Sequence, residues 1–542
     1  MVDVLQIAVV SCYLIVTCLL LLYGGNVIYL SAITWWQGHR LPADTEPTLV
    51  ELPKVTVQLP IYNELYVAAR LIEAAAALDY PSHLLEIQVL DDSTDETIEV
   101  VRETVARIKQ QGLDIVHLHR DDRTGFKAGA LQAGLQSAKG EFVAMFDADF
   151  IPTATFLKKT VPYFENDRVA FVQARWGHLN PDYSLLTLLQ SLALDAHFMV
   201  EQFARSNNGY WFNFNGTAGV WRRTAMEDAG GWKADTLTED LDLSYRVHLN
   251  GWEGRYLRGL VVPAELPVSI SAFRRQQHRW AQGSLECAKK LVPDIWRAAL
   301  PFKLKLQATL HLTTHCIHLL IFTLTISYPL LALSSADYGD WIVLFGFGYI
   351  FNITTLAPAF FFIIGQQQQG RSWQQIIPKI LFFMALGSGL MLNTVRAAWQ
   401  AFSRRQTPFE RTAKFGITQQ AQDWTHKQRY QLKLDPIVYF EIALGVYCLG
   451  TIWLAIYLGN WAIALYTALF GVGLWFVSIL TIVQAVAVYR NHKVITEATA
   501  ISDRVDQLID HEPSELTQPA TSASLAQGSL KNPITVKEQS SV

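Results

Sequence analysis

Charged residues are missing from long stretches near both ends of this chain and return in its middle, and that contrast divides it. From Val4 to Trp36 there is no Asp, Glu, Lys or Arg, a run longer than the ~20 residues a helix needs to cross a bilayer. A signal peptide would carry an apolar core of ~7–15 residues behind a basic flank; this chain opens Met-Val-Asp. The pattern predicts a retained anchor over 1–41. From Pro42 to about Trp296 the charge returns, and short β-rich runs alternate with helical patterns: KVTVQLP, LEIQVLDD, DIVHLHR, GEFVAMFDAD and VAFVQARW. Repetition of strand, helix and strand predicts an α/β domain with a largely parallel sheet over 42–300.

Beyond Lys305 the uncharged runs resume at Leu306–Ala336, Trp341–Gly370 and Ile442–Tyr489, the last long enough for two crossings with Gly459-Asn460 as the turn. Region 301–490 is thus predicted to be membrane-embedded. The 16 uncharged residues Ile380–Val395 lie between Lys379 and Arg396 with Gly-Ser-Gly inside, and read as an interfacial or re-entrant helix within 377–401. The loop 402–435 holds seven Lys or Arg against three acids over Phe402–Asp435, which places it on the cytoplasmic side. The expectation is five spans, N-terminus outside and C-terminus inside; a sixth crossing at Ile380–Val395 is the alternative. The tail 491–542, rich in Ser, Thr, Gln and Glu, is expected to be disordered and cytosolic.

Composition agrees with a membrane protein: 542 residues, 51% hydrophobic and 17% charged. The five cysteines are scattered and set no zinc or disulfide framework. A net charge of −4 and the lack of a basic, aromatic-rich surface give no sign of a nucleic-acid partner.

Two predicted strands end in aspartates, Asp91–Asp92 and Asp147–Asp149, at the carboxyl ends where ligands collect in open α/β sheets. Alternate residues of an extended segment face one way, so Asp147 and Asp149 can converge on one hard cation or diphosphate. Asp91–Asp92 could instead cap the following helix. Lys127, in GFKAGAL, sits among small residues that allow close backbone approach to a diphosphate, or is simply solvated. In LTEDLDLSYRV, Glu239, Asp240 and Asp242 crowd the start of a helix. Glu239 could close a capping box on Thr236, while a positioned base among them could contribute ~10²–10⁴-fold to proton transfer. Gln276, Arg279 and Trp280 in QQHRW fall on one helical face, suited to a sugar ring or to the lipid headgroup level.

Taken in order, DD, DAD, TED and QQHRW over residues 91–280 resemble the processive family 2 glycosyltransferases of the cellulose synthase superfamily, which read D, DxD, TED, QxxRW. The stretches VLDDSTD, KAGAL, MFDADF, VQARW, FNGTAGVWR and AGGW are most similar to the cellulose-synthase-like mannan, glucomannan and β-glucan synthases. FERTAK, Phe409–Lys414, is similar to the family's gating loop FxVTxK, with Arg411 in place of Val. The similarity extends over about 50–490.

The resemblance implies a Rossmann-like GT-A domain inserted in a helical transmembrane bundle, facing the cytosol at the plasma (inner) membrane. It also implies a nucleotide sugar donor (UDP-glucose or GDP-mannose), Mg²⁺ or Mn²⁺, and a growing polysaccharide in a channel; homo-oligomers are compatible with it. By position, Tyr62 and Asp91 match residues near the base. Lys127, Asp147 and Asp149 match the diphosphate and metal site. Asn213, Phe214, Asn215, Gly216 and Thr217 occupy the acceptor turn, with Asn215 where cellulose synthases have Cys. Gln276, Arg279 and Trp280 match the acceptor and diphosphate platform, Asp240 the base with Glu239 beside it, and Thr412 and Lys414 the lid over the nucleotide. Arg411 is expected to face solvent, and Asp242 to be structural. The expected reaction is inverting transfer to a β-linked polymer. Its rivals are a non-processive enzyme glucosylating ceramide or diacylglycerol, and a catalytically dead membrane scaffold.

Overall fold

In the computed structural model, which describes residues 2–38, 51–337, 356–403, 410–427 and 429–510, the middle of the chain winds into a seven-stranded sheet. The strands are β1 (Val55–Ile61), β2 (Leu85–Asp91), β3 (Asp114–His119), β4 (Phe142–Met145), β5 (Val169–His178), β6 (Gly219–Arg222) and β7 (Glu253–Ala264). Their spatial order is β3-β2-β1-β4-β6-β5-β7. β3, β2, β1 and β4 run parallel, as do β5 and β7, and β6 lies antiparallel between β4 and β5. The five runs read from the sequence form the first five strands. β6, only four residues long, and the bulged β7 complete the sheet.

Alternation along β1 shows why it sits centrally. Val55, Val57 and Leu59 enter a fully buried apolar cluster on one face. Thr56 and Gln58 point to the other face and pair across the register: Thr56 Oγ1 donates to Glu86 at 2.6 Å and Gln58 Nε2 to Gln88 at 3.0 Å. These cross-strand bonds take up the buried Thr56 hydroxyl and the Gln58 amide N–H, which lets the strand sit buried on both sides.

After β7 the chain enters the helix Ile270–Arg297, whose Ser269 Oγ accepts the Ala272 N–H at 3.1 Å as its N-cap. This helix packs on the helix Met391–Phe402, and Asn393 Nδ2 donates to the Arg274 carbonyl at 3.0 Å. Arg274 is buried and pairs with buried Glu441, while also donating to Thr481 at 3.1 Å. Both partners lie on apolar C-terminal helices, Ile437–Tyr457 and Trp461–Asp510. The helix Ile270–Arg297, termed the platform helix because it carries Gln276, Arg279 and Trp280, is therefore fastened to the predicted membrane region by a buried ion pair.

Among the described residues five helical segments are long and apolar enough to cross a membrane: Gln6–Gln37, Cys316–Ser334, Trp373–Phe402, Ile437–Tyr457 and Trp461–Lys493. The set differs from the one expected. Much of Trp341–Gly370 lies outside the described residues, which include only its helix Ala357–Gln367. Ile380–Val395, expected to be interfacial, lies within the span-length segment Trp373–Phe402, in its helices Ile377–Gly389 and Met391–Phe402, which meet at Leu390. In the tail expected to be disordered over 491–542, helix continues through the described part to Asp510, and 511–542 lie outside the described residues. Val494, Ala498, Ile501, Val505 and Leu508 recur there at helical spacing, a pattern outweighed in the sequence reading by polar composition.

Candidate active site

The carboxyl ends of β1, β2 and β4 open on one cleft, joined by the Glu239–Leu249 helix, the platform helix and the segment around Thr412. Asp147 and Asp149 both line it, brought there by a turn after β4 in which the Phe150 N–H donates to the Asp147 carbonyl at 3.0 Å, not by the extended backbone expected. Asp147 Oδ1 lies 2.6 Å from Lys127 Nζ, and Asp149 Oδ2 accepts a hydrogen bond from Lys414 Nζ at 2.6 Å. Lys127 also donates to the Gly216 carbonyl at 2.9 Å, and Lys414 to the Glu265 carbonyl at 2.7 Å. Burial raises the Asp147 carboxyl above its ordinary range; Lys127 opposes this and the neighbouring Asp149 adds to it. Burial lowers the Lys127 ammonium, but Asp147, Glu239 and Asp240 outweigh it and hold that group above its usual value.

Lys127 reaches this point because its helix begins abruptly. Gly125 adopts φ +75°, and a side chain on Gly129 would meet the Thr124 carbonyl oxygen at 2.1 Å. The small residues of KAGAL thus let helix and loop approach.

The acidic cluster of the opening helix separates by direction. Thr238 is the N-cap and makes no side-chain capping bond, so the capping box expected between Thr236 and Glu239 is not formed. Glu239 turns instead toward Lys127, at 3.7 Å. Asp240 lines the cleft. Burial and the adjacent Glu239 charge push its carboxyl up to about 7, against Lys127. Asp242, two residues on and so rotated ~200° around the helix, is fully buried against Arg246 at 2.8 Å and Lys290 at 2.7 Å. Gly216, at φ +75°, leaves open the space before Asp240: a Cβ there would stand 3.1 Å from Asp240 Oδ2.

Of the acceptor turn, Asn215 and Gly216 line the cleft; Asn213, Phe214 and Thr217 do not. Phe214 is buried in the core. Asn213 Nδ2 donates to Asn215 Oδ1 at 3.0 Å, and Thr217 Oγ1 accepts the Asp147 N–H at 2.8 Å. With Phe214 anchored in the core, these two bonds hold the turn from behind. Gln276, Arg279 and Trp280 face the cleft from one side of the platform helix, and Arg279 donates to the Glu410 carbonyl at 3.2 Å.

Tyr62 lines the cleft, its ring under the Arg123 guanidinium at 3.4 Å. Asp91 does not line it. It is fully buried and turned onto His117 and His119, while its neighbour Asp92 faces the cleft and grips Arg120 at 2.8 and 2.6 Å.

Thr412 and Lys414 line the cleft; Phe409, the first residue of the FERTAK stretch, lies outside the described residues. Arg411 is not solvent-facing as expected. It is 14% exposed, pairs with Glu64 at 3.0 Å and lies 3.8 Å over the Tyr430 ring. Glu64, Arg123, Trp176 and Glu265 also line the cleft and were not singled out from sequence. Burial pushes Glu64 up to about 8, with Arg411 opposing. Its place just past β1, after Asn63 at φ +52°, is the signal that could have marked it.

A family model described as glycosyltransferase like family 2 matches residues 53–283. The chain is 40% identical over 352 residues to glucomannan 4-β-mannosyltransferase 2 of Arabidopsis thaliana, covering 60% of this chain and 66% of that one. It is 46% identical over 248 residues to glucomannan 4-β-mannosyltransferase 9 of the same plant, covering 45% and 46%. With glucomannan 4-β-mannosyltransferase 1 of Oryza sativa subsp. japonica it shares 41% identity over 304 residues, covering 53% and 58%. The matches span about half to two thirds of these relatives' length. Among solved structures, the mannosyltransferase PcManGT from Pyrobaculum calidifontis, in complex with GDP-Man and Mn²⁺, aligns at a TM-score of 0.44 and 20% identity, over 67% of this chain and 97% of that one.

Proposed function

We propose, from the match of residues 53–283 to a family model described as glycosyltransferase like family 2, a membrane-embedded, inverting, processive hexosyltransferase that builds a β-linked mannan or glucomannan from GDP-mannose. One observation carries the reading: Asp147, Asp149, Asp240, Arg279, Trp280 and Lys414, contributed by four separated stretches of sequence, converge on a single cleft.

Asp240 takes the proton of the acceptor hydroxyl as that oxygen attacks the donor's anomeric carbon, on the face opposite the departing nucleoside diphosphate. A carboxyl raised to about 7 is poised for this near neutral pH. Single displacement inverts the anomer, so an α-linked donor gives a β-linked product. Lys127, Arg279 and Lys414 offset negative charge on the leaving diphosphate, and Trp280 with Gln276 offers the acceptor sugar an aromatic surface and an amide. Asp147 and Asp149 are hard oxygen donors whose mutual repulsion a divalent cation relieves, and they fit Mg²⁺ or Mn²⁺. When bound there, the cation supplies Lewis-acid neutralisation of the diphosphate. Lys414, which reaches Asp149 across the cleft, closes the site against water. The catalytic domain is assigned to the cytosolic side of the plasma (inner) membrane, where nucleotide sugars are available and the basic 402–435 loop belongs.

Membranes containing the protein, incubated with radiolabelled GDP-mannose or UDP-glucose and Mn²⁺ or Mg²⁺, test this directly. The expected product is a polymer formed from GDP-mannose and degraded by β-mannanase. A labelled glycolipid of one sugar would replace this reading with the lipid-transferase one.

A further inference from the structure

At the ends of β2 and β3, on the sheet face opposite the one that carries cleft-lining Leu90, three side chains gather that the glycosyl transfer does not use. In the parallel register Asp91 stands beside His119. His117, two residues earlier on β3, projects from the same face. Asp91 Oδ2 lies 2.8 Å from His117 Nε2 and 3.3 Å from His119 Nδ1, and all three donor atoms fall within 4.8 Å of one another. The other carboxylate oxygen, Oδ1, is fixed by the Ser93 N–H at 2.9 Å, leaving Oδ2 aimed at the imidazoles. Exposure rises from buried Asp91 through His117 at 15% to His119 at 30%, so the group opens to solvent at one end. Asp121, itself exposed, places Oδ1 3.5 Å from His119 Nε2 at that mouth. Asp91 has no Lys or Arg ion-pair partner among the described residues, whereas Asp92 next to it takes Arg120. A buried carboxylate without a fixed cation beside it suits a metal.

We propose that Asp91, His117 and His119 form a second cation site, separate from the Asp147–Asp149 pair and selective for a borderline divalent transition metal of the Zn²⁺ class. Two imidazole nitrogens and one carboxylate oxygen are the donors that Zn²⁺, Co²⁺ and Ni²⁺ favour. Mg²⁺ prefers all-oxygen surroundings and its own waters, so the two sites differ in the ions they hold. Water completes the coordination at the open end, and Asp121, on the far ring nitrogen Nε2 of His119, orients that imidazole. The role is structural. The Arg120 N–H donates to the Asp91 carbonyl at 3.0 Å and its guanidinium holds Asp92 on the cleft wall, so an ion here ties together the two strand ends on which that wall rests.

The test uses the full chain, purified in detergent without a polyhistidine tag, stripped with a chelator and returned to excess Mg²⁺ so that the aspartate pair is occupied. Zn²⁺ alone is then titrated in competition with a chromophoric chelator, and Co²⁺ is added separately for its visible spectrum. One tight equivalent of Zn²⁺ that excess Mg²⁺ does not displace is expected, with a rise in Tm on loading. His117→Gln and His119→Gln should each weaken binding at least ~10-fold and remove the rise in Tm, while His426→Gln, at an exposed position, changes neither. Undiminished Zn²⁺ binding in both histidine variants, or no tight equivalent in the wild type, overturns the proposal. If either variant fails to fold, the wild-type Co²⁺ spectrum decides: intense low-coordinate bands support the site, and a weak hexa-aqua-like spectrum refutes it.

Discussion

Asp91–Asp92 and Asp147–Asp149 begin as the same feature, a pair of aspartates at the carboxyl end of a parallel strand, yet the two pairs end in different environments. Asp147 and Asp149 are separated by one residue and both face the cleft, each met by a lysine. Asp91 and Asp92 are adjacent, so they diverge: Asp92 reaches the cleft and Arg120, while Asp91 is buried against two histidines. Adjacent side chains at a strand end point to opposite faces, which divides Asp91 from Asp92, whereas the turn Asp147–Phe150 brings Asp147 and Asp149 to one side and builds one charged site. The same lesson holds in helical geometry for Asp240 and Asp242. Two residues apart on a helix, they face nearly opposite directions, one into the cleft and the other into the ion pair with Arg246.

The sharpest way to test this division is Asp240→Asn. Transfer should fall by at least ~10² while donor binding persists, because the amide keeps the shape and cannot take a proton. The fold should gain stability. A carboxyl whose folded value lies near 7, above its unfolded ~3.9, favours the native state only at low pH, and that contribution is lost as pH rises from about 4 through 7. At pH 8 the asparagine variant should therefore melt no lower than wild type, and polymer made at the normal rate by this variant would remove the assigned role. The acid limb of wild-type kcat/KM should be displaced upward from the ordinary carboxylate range, as a property of the Glu239–Asp240 pair.

Next in size, Asp149→Ala or Asp147→Ala should weaken metal-dependent donor binding by ~10–100-fold, and EDTA should mimic either change. Full activity in excess EDTA would show that the aspartate pair is not a metal site.

Smallest in its effect on chemistry is Asp242→Ala. Breaking a buried pair leaves Arg246 uncompensated and should cost ~3–5 kcal/mol of stability, seen as a lower Tm, with kcat/KM per folded molecule nearly unchanged. A large catalytic loss without a change in Tm would erase the contrast with Asp240.

Much of the catalytic domain was legible in the sequence because its signals are local. Five β-rich runs set between helical patterns identify strands β1 to β5, whereas β6 is four residues straight after the Asn213–Ala218 turn and β7 is broken where residues 258–260 drop out of register with β5. QQHRW places three side chains on one helical face, and the structure puts all three on the cleft. Glu64, Arg123 and Glu265 carry no such pattern, since each becomes part of the site only through the meeting of distant segments. Arg411 shows the same limit: a basic residue in a basic loop reads as solvated, yet its partners are Glu64 and Tyr430.

The sequence by itself determined which stretches are apolar enough for a membrane, where the strands end and which helical side chains share a face, because a period of two or 3.6 residues is a property of the local backbone. Only the tertiary structure decided which cation Asp147, Asp149 and Glu441 meet. Lys127 reaches Asp147 from a neighbouring helix, Lys414 reaches Asp149 across 265 residues of chain, and Arg274 finds Glu441 across 167. Such pairings depend on how the sheet, the platform helix and the C-terminal helices pack, and no local spacing encodes them.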